Sequence, residues 1–286
     1  FNGIIKSLAV SPDGTILLVG TADEKVNAIN LEKQEVIYSQ MTSVNDYASI
    51  AIGSDGKVFA IADQKTVAMF SLSDGRKLRS LRGHTGKISD VAISPDGQTL
   101  VSVSGDDRTV RIWDLESGEL VKTLAENIGP TTHVAFTPDG KMFITGAIGN
   151  DRTFKFWDAT NLELLKTSPK QPGFINDLKV SSDGKQLVAA VRNYVKNWDL
   201  STSQEIKSIK GPSLDINTIA LSPDNRTVAT ANKEGTIMLF DLVTGRKLRT
   251  LRGHQGWVLS VAFSPDGQYL YSGAEDKIVK VWQLQP

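Results

Sequence analysis

The side chains that most invite chemistry are three histidines, His84, His133 and His254, and a set of aspartates that recurs along the chain. A histidine can act as a general base or a metal ligand, and two converging carboxylates can share acid and base roles. Spacing argues against both. Asp13, Asp55, Asp96, Asp139, Asp183, Asp224 and Asp266 each sit in a Ser-Pro-Asp-Gly-like segment. In such turns Asp is favoured because it bonds its own backbone. Asp114, Asp158 and Asp199 each follow a tryptophan at the end of an apolar run and make no pair by spacing. A nucleophile elbow, a phosphate loop, an H-E-x-x-H helix and an EF-hand loop are all missing. The chain has no cysteine, which excludes disulfides, Cys-ligated zinc, iron–sulfur clusters and thiol nucleophiles. No metal or cofactor is expected, and no catalytic residue is assigned.

The elements that carry these residues follow from the same spacing. The turn aspartates are 42, 41, 43, 44, 41 and 42 residues apart, so the chain contains seven units. Pro fixes φ at the second turn position and Gly closes the fourth, giving a tight reversal. The copies at 53–56 and 181–184 lack the proline, and Asn225 replaces one glycine. Period-two runs flank each turn: SDVAIS before it, QTLVSVS after it, then VRIWDL and GELVKTL. Short β-branched and aromatic runs bounded by Gly, Asp and Asn predict strands, and no window holds a helical period. Four strands per unit, seven times over, predict an all-β, seven-bladed β-propeller of four-stranded antiparallel blades, with residues 1–286 as one domain.

The dipeptides Trp113-Asp114, Trp157-Asp158 and Trp198-Asp199, their weaker versions Phe70-Ser71, Phe240-Asp241 and Trp282-Gln283, and the pairs Gly83-His84 and Gly253-His254 carry a family resemblance. The chain resembles the WD-repeat family over essentially its whole length, and its near-regular turns look like bacterial members, which are often fused to signalling domains. The resemblance implies a hydrogen-bonded relay across a blade, formed here by His84, Ser102, Asp107 and Trp113, and again by His254, Ser272, Asp276 and Trp282. The fourth unit keeps Asp151 and Trp157 without a histidine, and Arg192 and Glu234 stand where the fifth and sixth would have the aspartate. Those blades are expected to rely more on apolar packing. The resemblance also implies a protein- or peptide-binding surface at the narrow top rim. Carried over unit by unit, it comprises Ile4 and Lys6, Asp46 and Ala48, Lys87 and Ser89, Pro130 and Thr132, Phe174 and Asn176, Asp215 and Asn217, and Trp257 and Leu259. Trp257 is the one tryptophan outside a third-strand position, and with Leu259 it is the expected apolar anchor.

Fourth strands can be placed after six units, whereas the chain ends at Trp282-Gln283-Leu284-Gln285-Pro286, so the seventh blade is expected to lack its outermost strand. The expectation is that a segment before Phe1 supplies it, as part of a longer protein, or that the blade has three strands. With 32 basic and 32 acidic residues the net charge is zero, which points away from nucleic-acid and membrane-surface partners. The basic runs RKLRSLRGH and RKLRTLRGH read as protection of an outer strand edge. No apolar stretch approaches a membrane span, and a cytoplasmic location is expected. The sequon Asn225-Arg226-Thr227 lies in a turn and is given no role. The reading is therefore a non-catalytic binding scaffold; the alternatives are a channel site using Asp90, His133 and Asp177, which lie on three units, or a purely architectural domain.

Overall fold

A computed structural model describes residues 1–42, 49–125 and 129–284. Its 27 strands form seven antiparallel meanders. The first blade runs β1 (Ile5–Val10), β2 (Ile16–Thr21), β3 (Lys25–Asn30), β4 (Glu35–Met41), and the second β5 (Ile50–Ile52), β6 (Val58–Asp63), β7 (Thr66–Ser71), β8 (Lys77–Arg82). The third holds β9 (Asp90–Ile93), β10 (Thr99–Ser104), β11 (Thr109–Asp114), β12 (Leu120–Leu124), and the fourth β13 (Thr131–Phe136), β14 (Met142–Ala147), β15 (Phe154–Asp158), β16 (Leu164–Thr167). The fifth holds β17 (Ile175–Val180), β18 (Gln186–Val191), β19 (Tyr194–Asp199), β20 (Glu205–Lys210), and the sixth β21 (Ile216–Leu221), β22 (Thr227–Asn232), β23 (Thr236–Asp241), β24 (Lys247–Arg252). The seventh has three described strands, β25 (Val258–Phe263), β26 (Tyr269–Ala274) and β27 (Val279–Gln283), so β27 presents an open edge.

The second strands read as nearly continuous apolar runs because both faces are covered, one by each neighbouring blade. Apolar clusters join consecutive blades; Leu18, Phe59 and Phe70 tie the first to the second. Ile5, Leu8, Leu17, Val19 and Tyr271 close the ring between the seventh and the first. The ring leaves only the outermost strand of each blade with a free edge, and in the seventh blade that strand is β27.

The Ser-Pro-Asp-Gly turns are held by their own side chains. Ser11 Oγ donates to Asp13 Oδ1 at 2.5 Å, the Thr15 N–H donates to the same oxygen at 3.0 Å, and Gly14 adopts φ 74°. At five blade interfaces the proline of one turn lies against the glycine of the next, as Pro265 does against Gly14. Ser54 and Ser182 stand at the other two. Each donates instead to a proline carbonyl of the next turn, Ser54 to Pro95 at 2.5 Å and Ser182 to Pro223 at 3.0 Å. Asn225, the one turn residue replacing glycine, faces Ser182: its Nδ2 donates to Ser182 Oγ and its Oδ1 accepts the Ser182 N–H, both at 2.9 Å. Two departures from the repeat thus compensate each other.

Candidate functional site

The relay residues meet as the resemblance implies. His84 Nδ1 lies 2.8 Å from Asp107 Oδ2 and its Nε2 2.8 Å from Ser102 Oγ, while Trp113 Nε1 donates to that hydroxyl at 2.8 Å. The seventh blade repeats this with His254, Asp276, Ser272 and Trp282 at 2.8, 2.7 and 2.8 Å. Burial alone would raise the Asp107 carboxyl, but bonds from Thr109 and His84 overcome it and hold the group down at about 2. Burial lowers His84, favouring its neutral form. Every polar atom of this chain of bonds is spent inside the blade, so the relay positions β10, β11 and the preceding loop and offers nothing to a substrate.

The fourth blade holds a feature that sequence reasoning missed. Asp151 Oδ2 accepts from Lys155 Nζ at 2.8 Å and from the Gly129 N–H at 3.1 Å, and Trp157 Nε1 donates to Thr145 at 3.0 Å. Lys155, on β15, supplies the donor that the imidazole supplies elsewhere. This blade keeps a polar tie where more reliance on apolar packing was expected. The i,i+4 spacing Asp-x-x-x-Lys across a turn was the available signal.

The channel candidates are clustered, yet the bonds of the two carboxylates are already committed. Asp90, His133 and Asp177 occupy matching positions on β9, β13 and β17 of consecutive blades. Asp90 accepts the Val134 N–H with one oxygen and Ser49 Oγ with the other, at 2.9 and 2.5 Å. Asp177 accepts the Ile219 N–H and Thr218 Oγ on one oxygen, both at 2.9 Å, and Lys179 Nζ on the other at 2.9 Å. Each carboxylate therefore ties its blade to the next. Burial raises Asp90, whereas Lys179 and His133 outweigh burial at Asp177 and lower it. Lys179 opens onto a channel cavity of about 370 Å³ lined by Leu8, Ile50, Thr218, Ser260 and Val261. Among the described residues no group of three or more His, Asp or Glu could hold a metal ion. Nor is any helix there long and apolar enough to cross a membrane.

The rim residues fall into two kinds. Asn176 and Asn217 turn their amides to the next blade, donating to the Ile216 and Val258 carbonyls at 2.9 and 3.2 Å, and Ser89 Oγ accepts the Gly105 N–H at 3.4 Å. These three are partly committed to holding loops. Phe174 and Trp257 sit at equivalent positions just before β17 and β25 and remain 53% and 42% exposed. Leu214, unflagged by the sequence because it falls one residue outside the repeated position, is 44% exposed on the blade between them. Lys233 Nζ stands 4.3 Å from the Trp257 ring centroid, over one face of the ring. Lys87 and Asp215 are exposed, while Ile4, Lys6 and Leu259 are half-buried. Asp46 and Ala48 lie outside the described residues.

The family model described as "WD domain, G-beta repeat" matches residues 75–114, 118–158, 203–241 and 245–283. Each match takes the fourth strand of one blade with the first three of the next. An uncharacterized WD repeat-containing protein of Synechocystis sp. (strain ATCC 27184 / PCC 6803 / Kazusa) is 62% identical over 240 residues, covering 84% of this chain and 69% of that protein.

Proposed function

The chain belongs to the WD40 repeat family, whose propellers generally serve as protein-interaction scaffolds, and from that premise we propose that it is a non-catalytic platform binding a protein or peptide at the top rim. The observation that carries this reading is the arc of Phe174, Leu214 and Trp257, three exposed apolar side chains on consecutive blades at one end of the ring. Large aromatics held in a fixed frame and ringed by polar groups are the usual anchors of protein interfaces. Trp257 and Leu259 are the central anchors in this proposal, and Lys6, Lys87 and Asp215 set orientation through charge. Closed-ring geometry lowers the cost of binding, because the loops do not have to be ordered first. The absence of an enzymatic role is part of the proposal: the carboxylates nearest the channel already hold neighbouring blades together.

The test is an affinity capture comparing the wild type with a Trp257→Ala, Leu259→Ala double variant of equal melting temperature. A protein retained by the wild type, identified, and then shown with purified components to bind the wild type but not the variant, is the expected result. Equal binding of that protein by both forms would retire this rim as the binding surface.

A further inference from the structure

On the fourth and fifth blades the top surface carries a cluster unlike the rest of the rim. Arg152 ends the β14–β15 turn and donates from Nη1 to the Pro172 carbonyl at 3.2 Å, while its carbonyl accepts the Gln171 N–H at 2.8 Å. Those bonds hold the 168–174 loop, which carries Lys170 and Phe174, against the fourth blade. From the other side, the Arg192 stem lies over Gly173, where a Cβ would collide with it, and the Arg192 N–H donates to the Phe174 carbonyl at 3.2 Å. Three cations and one exposed phenyl ring are thereby fixed in one neighbourhood. None of the three makes an ion pair with a described carboxylate. Arg152 Nε is buried without a partner. The nearest blade carboxylate, Asp151, is already taken by Lys155, Thr153 and Gly129.

The charge is also reversed relative to the repeat. Arg192 occupies the place where the third, fourth and seventh blades have Asp107, Asp151 and Asp276. In those blades the carboxylate accepts loop N–H groups and is buried by them. In the fifth blade Arg192 is exposed, and its side chain makes no ion pair with a described carboxylate. Guanidinium groups suit carboxylates because their donors form a planar fork.

We infer that the surface formed by Arg152, Lys170, Arg192 and Phe174 receives an acidic peptide segment, its carboxylates on the cations and one apolar side chain against Phe174. This rests on the top-rim reading and deepens it by naming the partner's chemistry. It also moves the charged half of the contact two blades away from Trp257. The zero net charge of the whole chain is no obstacle, because a Debye length of about 8 Å makes the local cluster the field that a segment feels.

The test uses fluorescence anisotropy with the full chain and three labelled peptides of one length: glutamate-rich with a central leucine, its glutamine counterpart, and its lysine counterpart. The acidic peptide is expected to bind at least tenfold more tightly than the glutamine one and to weaken steeply with salt. Arg192→Glu and Lys170→Glu should each weaken it about tenfold, Phe174→Ala several-fold, and Trp257→Ala little. Circular dichroism and melting curves confirm that each variant is folded; Arg192 and Lys170 are exposed, so reversal leaves the core intact. Equal affinity for the three peptides, or an Arg192→Glu protein that binds the acidic peptide unchanged, overturns the inference. So does tighter binding of a mixed-sequence RNA or DNA duplex competing for the same residues. A natural partner captured through Trp257 but indifferent to Arg192→Glu would sink this inference alone and leave the rim platform standing.

Discussion

Replacing Lys155 with methionine should measure what the missing histidine of the fourth blade would otherwise contribute. The substitution keeps most of the stem volume and removes the ammonium that lies 2.8 Å from Asp151 Oδ2. Side-chain exposure is 8% for Lys155 and 18% for Asp151, so the pair sits between a surface ion pair and a fully buried one. Exposed pairs contribute about 0–1 kcal/mol, whereas breaking a buried pair costs about 3–5 kcal/mol because a charge is stranded. Asp151 would keep Thr153 Oγ and the Gly129 N–H, which places the expected loss at about 2–3 kcal/mol. For a chain of 286 residues that lowers Tm by roughly 3–5 °C. Urea unfolding followed by tryptophan fluorescence is the assay, with Trp157 in the same blade as reporter; a shifted midpoint at constant slope marks a true stability change. In the native protein burial would raise Asp151, but the Lys155 bond and charge lower it. Without Lys155 the carboxylate loses its lowering bond and charge, so the variant's deficit should shrink as the pH falls far enough to protonate Asp151 in both states. Adding Asp151→Asn to Lys155→Met should recover part of the loss, with a coupling of about 1–2 kcal/mol. A loss below about 0.5 kcal/mol, or strictly additive single effects, would refute the idea that Lys155 stands in for the imidazole.

Three further outcomes follow from the same geometry. Asp107→Asn should cost about 1–3 kcal/mol at pH 7. The folded carboxyl lies at about 2, below its unfolded value, so this stability is present above about pH 4 and lost as pH falls toward 2; wild type and variant should converge in acid unfolding there. At the turn ring, Ser182→Pro and Asn225→Gly should each destabilise. The double substitution restores the proline-on-glycine contact of the other turns, so calorimetry should give less than the sum, with a coupling of about 1 kcal/mol; additivity would contradict the pairing. Finally, Trp113→Phe removes the indole donor from a fully buried Ser102 hydroxyl and leaves it His84 alone, whereas Trp282 is half-buried beside the open edge of β27. The first change should cost more, about 1–3 kcal/mol, and equal midpoints would show that the edge blade is held as firmly as the others.

The period of the chain made the blades and their local ties legible. Turn aspartates and the three-stranded seventh blade are set by residues within one unit, where alternation and turn chemistry speak directly, while the two four-membered relays were implied by the family resemblance. Apart from the Asp151–Lys155 tie, what escaped notice lies mostly between units. Asn176 bonds to Ile216, Asn217 to Val258, and Asp177 to Ile219, pairs separated by 40, 41 and 42 residues. Such contacts become visible only when the ring sets each first strand beside the next. The Ser182–Asn225 pair is of the same kind: each residue alone reads as a tolerated turn variant, and only the interface explains why they occur on adjacent blades. Arg192 was noticed as a missing aspartate, yet its meaning depended on Gly173 and Arg152, which belong to two other loops. Leu214 escaped because a one-residue offset in the loop moved the exposed apolar side chain off the repeated position.

In the proposed mode of action the binding surface is the top rim and not the outer wall or the channel. A photocrosslinking residue placed at Leu259 or Leu214 in cells of the source organism, with Leu165 on the exposed wall and Lys179 in the channel as comparison sites, tests it directly. A discrete crosslinked protein is expected from the two rim positions and none from the other two. Crosslinks confined to position 165 or 179, with the rim positions silent, would contradict it.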